Sequence, residues 1–340
     1  MNDNKKTVLI AGGAGFIGFH LCKRLLKEDF HIICVDDLST GNLRNVSLLS
    51  ELGDFEFRKH DITEPFNYDG DIDWIYNLAC PASPVKYQKN PIQTFMTNVE
   101  GSVNMLRLAS KHHAKIMLAS TSEVYGNPLI HPQKENYWGN VNPDGIRSCY
   151  DEGKRAAETL FCDWHRMEGV DTRIVRIFNT YGPNMSADDG RVVSNMIVQA
   201  LAGSDITVYG DGTQTRSFLY VDDLIEGLVR IMDNGVPNTP INLGNPQERS
   251  INELAKTILK ITGSKSRVVY RSLPEDDPLR RCPDIDKAKL CLQGWQPKVT
   301  LEEGLARTVD YFREIVVNPC YPLLHTNKEA SECQTHSIIQ

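Results

Sequence analysis

Long apolar runs are missing from this 340-residue chain. None approaches the roughly 18 residues that a membrane-spanning helix needs, so no membrane association is expected. The stretch "VLIAGGAGFIGFHLC" is broken by glycines and has no small-residue cleavage site after it, so it is not expected to be a leader. Basic excess is missing too. The chain carries 37 Lys and Arg against 44 Asp and Glu, a net charge of -7, which argues against nucleic acid as a partner. A small anionic ligand held by a few placed arginines remains compatible with that balance. None of the nine cysteines stands in a Cys-x-x-Cys pair, and their number is odd. A reducing compartment, the cytoplasm, fits this better than a disulfide framework. The histidines show no metal spacing, so no metal is expected.

What is present is the balance of an ordinary globular protein, 41% hydrophobic and 24% charged, without repeats or low-complexity tracts. The first half alternates β-rich runs with amphipathic stretches. The runs "TVLIAG", "HIICVD", "FEFRKHD", "WIYNLA", "IMLAST" and "TRIVRIF" read as strands buried on both faces. Helices are expected over 15–28, 91–112 and 150–169. This is the pattern of an α/β fold, a Rossmann-type doubly wound parallel sheet. Beyond Gly182 loops lengthen, and Pro and Gly cluster at "YGPNMSADDG", "YGDGTQ" and "NLGNP". The expected division is a dinucleotide-binding domain over 1–181 with contributions from later segments, a smaller substrate-binding lobe over 182–316, and a loosely attached tail over 317–340.

"AGGAGFIG" follows the first strand and opens the first helix. Its glycines Gly12, Gly15 and Gly18 let backbone approach a pyrophosphate, and the helix N-terminus supplies free N–H groups. Asp36 closes the second strand 18 residues beyond Gly18, where a carboxylate can accept hydrogen bonds from the adenosine ribose. Asp36 and the adjacent Asp37 would repel a 2′-phosphate, so NAD is expected over NADP. Asp61 and Ile62, ending the third strand, are placed to meet the adenine.

"STSEVYG" follows the buried strand "KIMLA", at the end of a sheet strand where ligands bind in such folds. Tyr150 and Lys154 in "SCYDEGKR" are four residues apart, on one helix face. Lys154 is expected to lower the Tyr150 pKa from about 10 by favouring the phenolate, with help from a bound nicotinamide. Thr121 would share a proton with a substrate hydroxyl that the phenolate deprotonates. Cys80 and Cys149 read as small buried residues rather than nucleophiles.

Together with "NLACPASP", "HPQKENYWGNVNP", "RIFNTYGP", "DDGRVVSN", "VYGDGTQTRSF" and "DDPLRRCPDI", these motifs resemble the extended short-chain dehydrogenase/reductases, and among them the UDP-glucuronate decarboxylases. The resemblance runs to about residue 315. It implies oxidation of UDP-glucuronate at C4, loss of CO2 from the 4-keto acid, and reduction by the retained NADH to UDP-xylose. Tyr150 is implied as base, Lys154 as its partner and Thr121 at the C4 hydroxyl. Glu123 and Arg281 are implied at decarboxylation and C5 protonation. Phe16, Ile17 and Leu78 join the implied cofactor contacts, and Asn179, Arg191, Tyr209, Gln214 and Arg216 match positions that contact the UDP-sugar. A 4,6-dehydratase usually shows Asp-Glu after the threonine; here Ser122-Glu123 keeps one carboxylate and no leaving-group acid. A 4-epimerase, or a decarboxylase releasing the 4-ketopentose, fits the same oxidation step. The family also implies a homodimer through helices such as 91–112 and 150–169. The chain departs from the family at Met96, at Ser110-Lys111 and at Cys282, where lysine or arginine is common, and carries an extra Gln293.

Overall fold

The computed structural model describes residues 5–273 and 280–316. The expected tail at 317–340 lies outside them. The six expected strands form at Thr7–Ala11, His31–Asp36, Phe55–Lys59, Trp74–Asn77, Lys115–Thr121 and Thr172–Ile177. A seventh, Pro240–Leu243, pairs parallel with Thr172–Ile177. The parallel sheet runs in the order 240–243, 172–177, 115–121, 74–77, 7–11, 31–36, 55–59.

Alternation along each strand divides the core. Val8 and Ile10 face a cluster with Leu21, Leu25 and Leu224, whereas Leu9 and Ala11 face one with Met105, Ala157 and Phe161. Both faces are therefore apolar, which is why the strands read as continuous apolar runs. Phe161 is fully buried, and its truncation to alanine would cost about 3–5 kcal/mol.

The first helix spans Phe16–Lys27 and buries Gly18, Phe19, Leu21, Cys22, Leu25 and Leu26, spaced to share one face. Arg24 and Lys27 sit in its last turn, favourable to the helix dipole. Helix Pro91–His112 starts with proline at a position needing no N–H, capped by the Asn90 side chain on the Gln93 amide. Helix Ser148–Glu168 starts two residues earlier than expected and stops at Gly169, whose φ of 69° is the left-handed conformation of a helix stop.

The first strand lies between 31–36 and 74–77, so chain direction across the sheet reverses there. A crevice opens at such a point beyond the C-terminal strand ends. Gly12 and Leu78 hang on either side of it, the Gly12 amide on the Val35 carbonyl at 2.8 Å and the Leu78 amide on the Ala11 carbonyl at 2.9 Å.

The later half forms a small sheet in which Thr215–Ser217 pairs antiparallel with Glu248–Ser250 and parallel with Arg280–Arg281. Helices Val192–Leu201, Ile251–Thr262 and Leu301–Val316 pack against one another. Ile251 with its capping box at Ser250 and Glu253, Leu254 and Phe312 belong to the same apolar cluster as Val8, so the two halves share one core. Among the described residues no helix is long and apolar enough to cross a membrane.

Candidate active site

A cavity of about 1320 Å³ runs from the glycine-rich loop across the strand ends to the small second sheet. Every site residue expected above, from Gly12 to Arg281, lines it. Local chain geometry explains each end.

At the loop, an added Cβ on Gly18 would collide with the Gly12 carbonyl oxygen, and one on Gly12 would lie 2.9 Å from the Ala79 amide nitrogen. Only glycine permits this tight packing of strand, turn and helix. Gly15 precedes the helix in extended conformation and no side chain caps the N-terminus. The donors at the head of Phe16–Lys27 are thus left to a ligand anion. The Asp36 carboxylate accepts from the Ala14 amide at 3.0 Å and the Leu38 amide at 2.8 Å. Burial pushes its pKa up, opposed by those two bonds. Gly41 leaves space directly over this carboxylate, since a Cβ there would come within 2.5 Å of Oδ1. Asp61 is tied to the Thr63 amide and to Gln93. Ile62 is mostly turned into the core beneath helix Pro91–His112, with its rim on the cavity. An uncapped helix head, a glycine-only turn and a cradled carboxylate fit a dinucleotide.

At the centre, Thr121 ends its strand and its hydroxyl accepts the Glu123 amide at 3.2 Å, capping the short turn Ser122–Tyr125. The same hydroxyl neighbours the Tyr150 phenol closely enough to favour its ionised form. Lys154 is 3% exposed and donates to the Ala119 carbonyl at 2.9 Å, its Nζ 5.9 Å from the Tyr150 ring centroid. Burial pushes the Tyr150 pKa up, with Cys80 adding to the rise and the Thr121 hydroxyl opposing it. Burial likewise lowers that of Lys154. The expected depression of the phenol by Lys154 therefore does not hold for the protein alone. Two groups removed from water both disfavour their charged forms, and the ammonium is spent on a strand-end carbonyl. Cys80 accepts from Asn98 at 3.2 Å, and both Cys80 and Cys149 are half-buried with thiols pushed up by burial.

Glu123 sits between two guanidiniums, Arg147 at 2.5 Å and Arg281 at 3.1 Å. Burial alone would raise its carboxyl, but Arg281, Arg147 and Arg216 outweigh it and hold the group below its usual range. Arg281 is 1% exposed and also donates to the Ser122 carbonyl at 2.6 Å. Asp151, one turn from Arg147, is pushed up to about 7 by burial and by Glu123.

Toward the second lobe, Arg191 is paired with Asp189 at 2.5 Å and rests over the Phe16 ring. Gln214 donates to the Tyr209 carbonyl at 2.6 Å, and Arg216 Nη1 to the Thr215 carbonyl at 2.9 Å. The Asn179 carbonyl accepts the Leu219 amide. Sequence reasoning missed Arg147, Tyr87 and Gly41. Tyr87 stacks on Tyr150 from the four-residue helix Pro84–Tyr87, too short to carry a period. Arg147 stood in plain view three residues before Tyr150, with nothing to mark its partner at 123.

The sequence profile of the NAD dependent epimerase/dehydratase family matches residues 8–244. The chain is 52% identical over 311 residues to "UDP-glucuronic acid decarboxylase 1" of Xenopus tropicalis, covering 92% of this chain and 73% of that one. It is 53% identical over 307 residues to "UDP-glucuronic acid decarboxylase 3" of Arabidopsis thaliana, covering 90% and 89%. Among solved structures it is similar to the UDP-glucuronic acid 4-epimerase of Bacillus cereus in complex with UDP-glucuronic acid and NAD. That likeness has a TM-score of 0.81 at 29% identity and covers 91% of this chain and 99% of the other. Fold, glycine-rich loop and sequence agree: the chain belongs to the NAD dependent epimerase/dehydratase family.

Proposed function

We propose that the chain is a UDP-glucuronate decarboxylase that converts UDP-glucuronate to UDP-xylose and CO2 with NAD as a recycled cofactor. The observation that carries this reading is Glu123, a single carboxylate held ionised by Arg281 and Arg147 beside the Thr121–Tyr150 pair. The relatives at 52–54% identity, named for this activity, support it.

Gly12, Gly15 and Gly18 with Phe16 and Ile17 would hold the pyrophosphate, Asp36 the adenosine ribose, Lys154 the nicotinamide ribose and Leu78 the ring. Bound there, NAD would supply the hydride acceptor for oxidation at the sugar C4 and the donor for the final reduction. Tyr150 removes the C4 hydroxyl proton, relayed through Thr121. Its raised pKa means the phenol gives up its own proton only when cationic charge arrives beside it. The resulting C4 ketone lies β to the C6 carboxylate, so loss of CO2 leaves a stabilised enolate and needs no leaving-group acid. Glu123, kept ionised, repels a carboxylate beside it, and Arg281 faces the negative charge released. A proton from solvent beside Glu123 and Arg281 then adds at C5 of the enolate to give the 4-ketopentose, and Tyr150 returns its proton to the C4 oxygen as that ketone is reduced. Asn179, Arg191, Tyr209, Gln214 and Arg216 would grip the uridine diphosphate, Arg191 with its charge already offset by Asp189.

The division at about residue 181 into cofactor and sugar lobes is retained, with Pro240–Leu243 belonging to the first. A homodimer through Pro91–His112 and Ser148–Glu168 is supported by exposed Ile92, Phe95 and Met96 on the former. A cytoplasmic setting is supported by seven unpaired cysteines among the described residues.

The test is an NMR time course with NAD and UDP-glucuronate. UDP-xylose with CO2 and no accumulation of NADH is expected. UDP-galacturonate would make the protein a 4-epimerase, and a 4-ketopentose with stoichiometric NADH would remove the final reduction.

A further inference from the structure

Outside the catalytic centre, the described residues place one imidazole, one carboxylate and one thiol together. The ligand atoms of His131, Glu248 and Cys282 all lie within 4.8 Å of one another. We infer that these three residues form a binding site for a thiophilic divalent cation of the zinc type.

The three come from separate segments, which is why spacing along the chain does not reveal them. Glu248 opens the strand Glu248–Ser250, Cys282 follows Arg280–Arg281, and His131 lies in the loop that Gln133 docks onto Cys282. That docking is two-sided: the Gln133 amide donates to the Cys282 carbonyl and the Cys282 amide to Gln133 Oε1, both at 2.8 Å. Glu248 Oε2 lies 2.9 Å from His131 Nε2, and Glu248 Oε1 accepts from Thr215 at 2.6 Å. One carboxylate oxygen is thus fixed from behind while the other faces the imidazole.

A tetrahedral zinc with bonds of about 2.0–2.3 Å keeps its ligands roughly 3.3–3.8 Å apart. The His131–Glu248 separation of 2.9 Å is slightly shorter than that and no pair lies beyond 4.8 Å, so small side-chain rotations suffice. The electrostatics agree. Glu248 and Asp284 are the carboxylates whose charge reaches the Cys282 thiol. The same two carboxylates that oppose a thiolate attract a cation, and a coordinating cation deprotonates the thiol. In binding, the Cys282 proton leaves to solvent and the ion takes its place between the sulfur, the imidazole and the carboxylate. His131 is exposed and Cys282 is 2% exposed, so the ion enters from the surface and ends against a buried sulfur.

The location gives the site a consequence. Thr215–Ser217, carrying Arg216, lies between the strands that bear Glu248 and Arg281. A bound ion would clamp this sheet onto the His131 loop, one residue from the arginine that holds Glu123.

The experiment is a Co²⁺ titration of chelator-stripped full-length protein, read by thiolate-to-cobalt charge-transfer absorption. The expected result is a band saturating at one equivalent, displaced by Zn²⁺, and absent in Cys282→Ser. His131→Gln leaves every cysteine in place and lies at the surface; it is expected to weaken Co²⁺ at least tenfold. Zn²⁺ is expected to raise the Tm of the native protein and not of His131→Gln. No thiolate band in the native protein, a band of equal strength in Cys282→Ser, or unchanged affinity in His131→Gln would each overturn the site.

Discussion

The ring of Tyr87 lies parallel to that of Tyr150, with centroids 4.9 Å apart and planes 4° apart. The stack fixes the plane of the proposed base, and the Thr121 hydroxyl lies beside its oxygen. The Tyr87 hydroxyl is buried and meets no hydrogen-bond partner among the described residues. An aromatic pair contributes about 0.5–1.5 kcal/mol beyond burial, so Tyr87→Ala should lower kcat roughly tenfold with little change in NAD affinity. Tyr87→Phe keeps the stack and should stay within about twofold of the native rate. Equal losses in both variants would mean that the hydroxyl, not the ring, does the positioning.

Glu123 acts after oxidation in the proposed sequence. Glu123→Gln should therefore form NADH at close to the native rate in a single turnover while lowering UDP-xylose formation by about 100-fold or more. Stopped-flow absorbance with product analysis separates the two steps. Loss of the NADH phase would move Glu123 to the oxidation itself.

Asp151 gives a pH signature. Its folded pKa of about 7 lies above the unfolded carboxyl value of about 3.9. Between those values the folded chain holds a proton that the unfolded chain has released, so this contribution to stability is complete at low pH and lost as pH rises toward 7. Asp151→Asn should gain about 1 kcal/mol or more over the native protein at pH 8 relative to pH 5. Urea melts at the two pH values check it; a difference independent of pH would show Asp151 ionised throughout.

Behind the catalytic strand, Arg176 makes a two-point pair with Glu158, at 2.7 and 3.0 Å, and Ser120 donates to the same carboxylate at 2.6 Å. Glu158→Ala would strand a mostly buried guanidinium and should cost about 3–5 kcal/mol. An unfolding free energy from chemical denaturation lowered by less than a third of that would show water replacing the carboxylate.

Much of this site was legible because its parts are contiguous motifs at strand ends, such as Gly12–Gly18 and Tyr150–Lys154. Long strands and helices were legible from apolar runs and periodicity. Pro240–Leu243 escaped notice because four residues, "PINL", carry neither signal. Arg147 and Tyr87 act through tertiary contacts with Glu123 and Tyr150, which no local spacing encodes. The Tyr150–Lys154 spacing correctly put both on one face. It could not foresee that burial would govern both pKa values and that the ammonium would turn to the Ala119 carbonyl.

The late strand Pro240–Leu243 has a consequence for how the molecule is made. When residue 181 has left the ribosome, six strands of the sheet exist, and the edge of Thr172–Ile177 is still uncovered. Helix Val221–Asn234, whose Leu224 and Leu228 join the core beside Leu21 and Leu25, has not been synthesised either. A nascent chain therefore carries an open strand edge and a bare apolar face for about 60 further residues, at about 5–20 residues per second a wait of several seconds. Such edges invite pairing with other chains. The interval between Ile177 and Leu243 is when this chain is most open to aggregation, and a chain truncated there should aggregate rather than accumulate as a folded half.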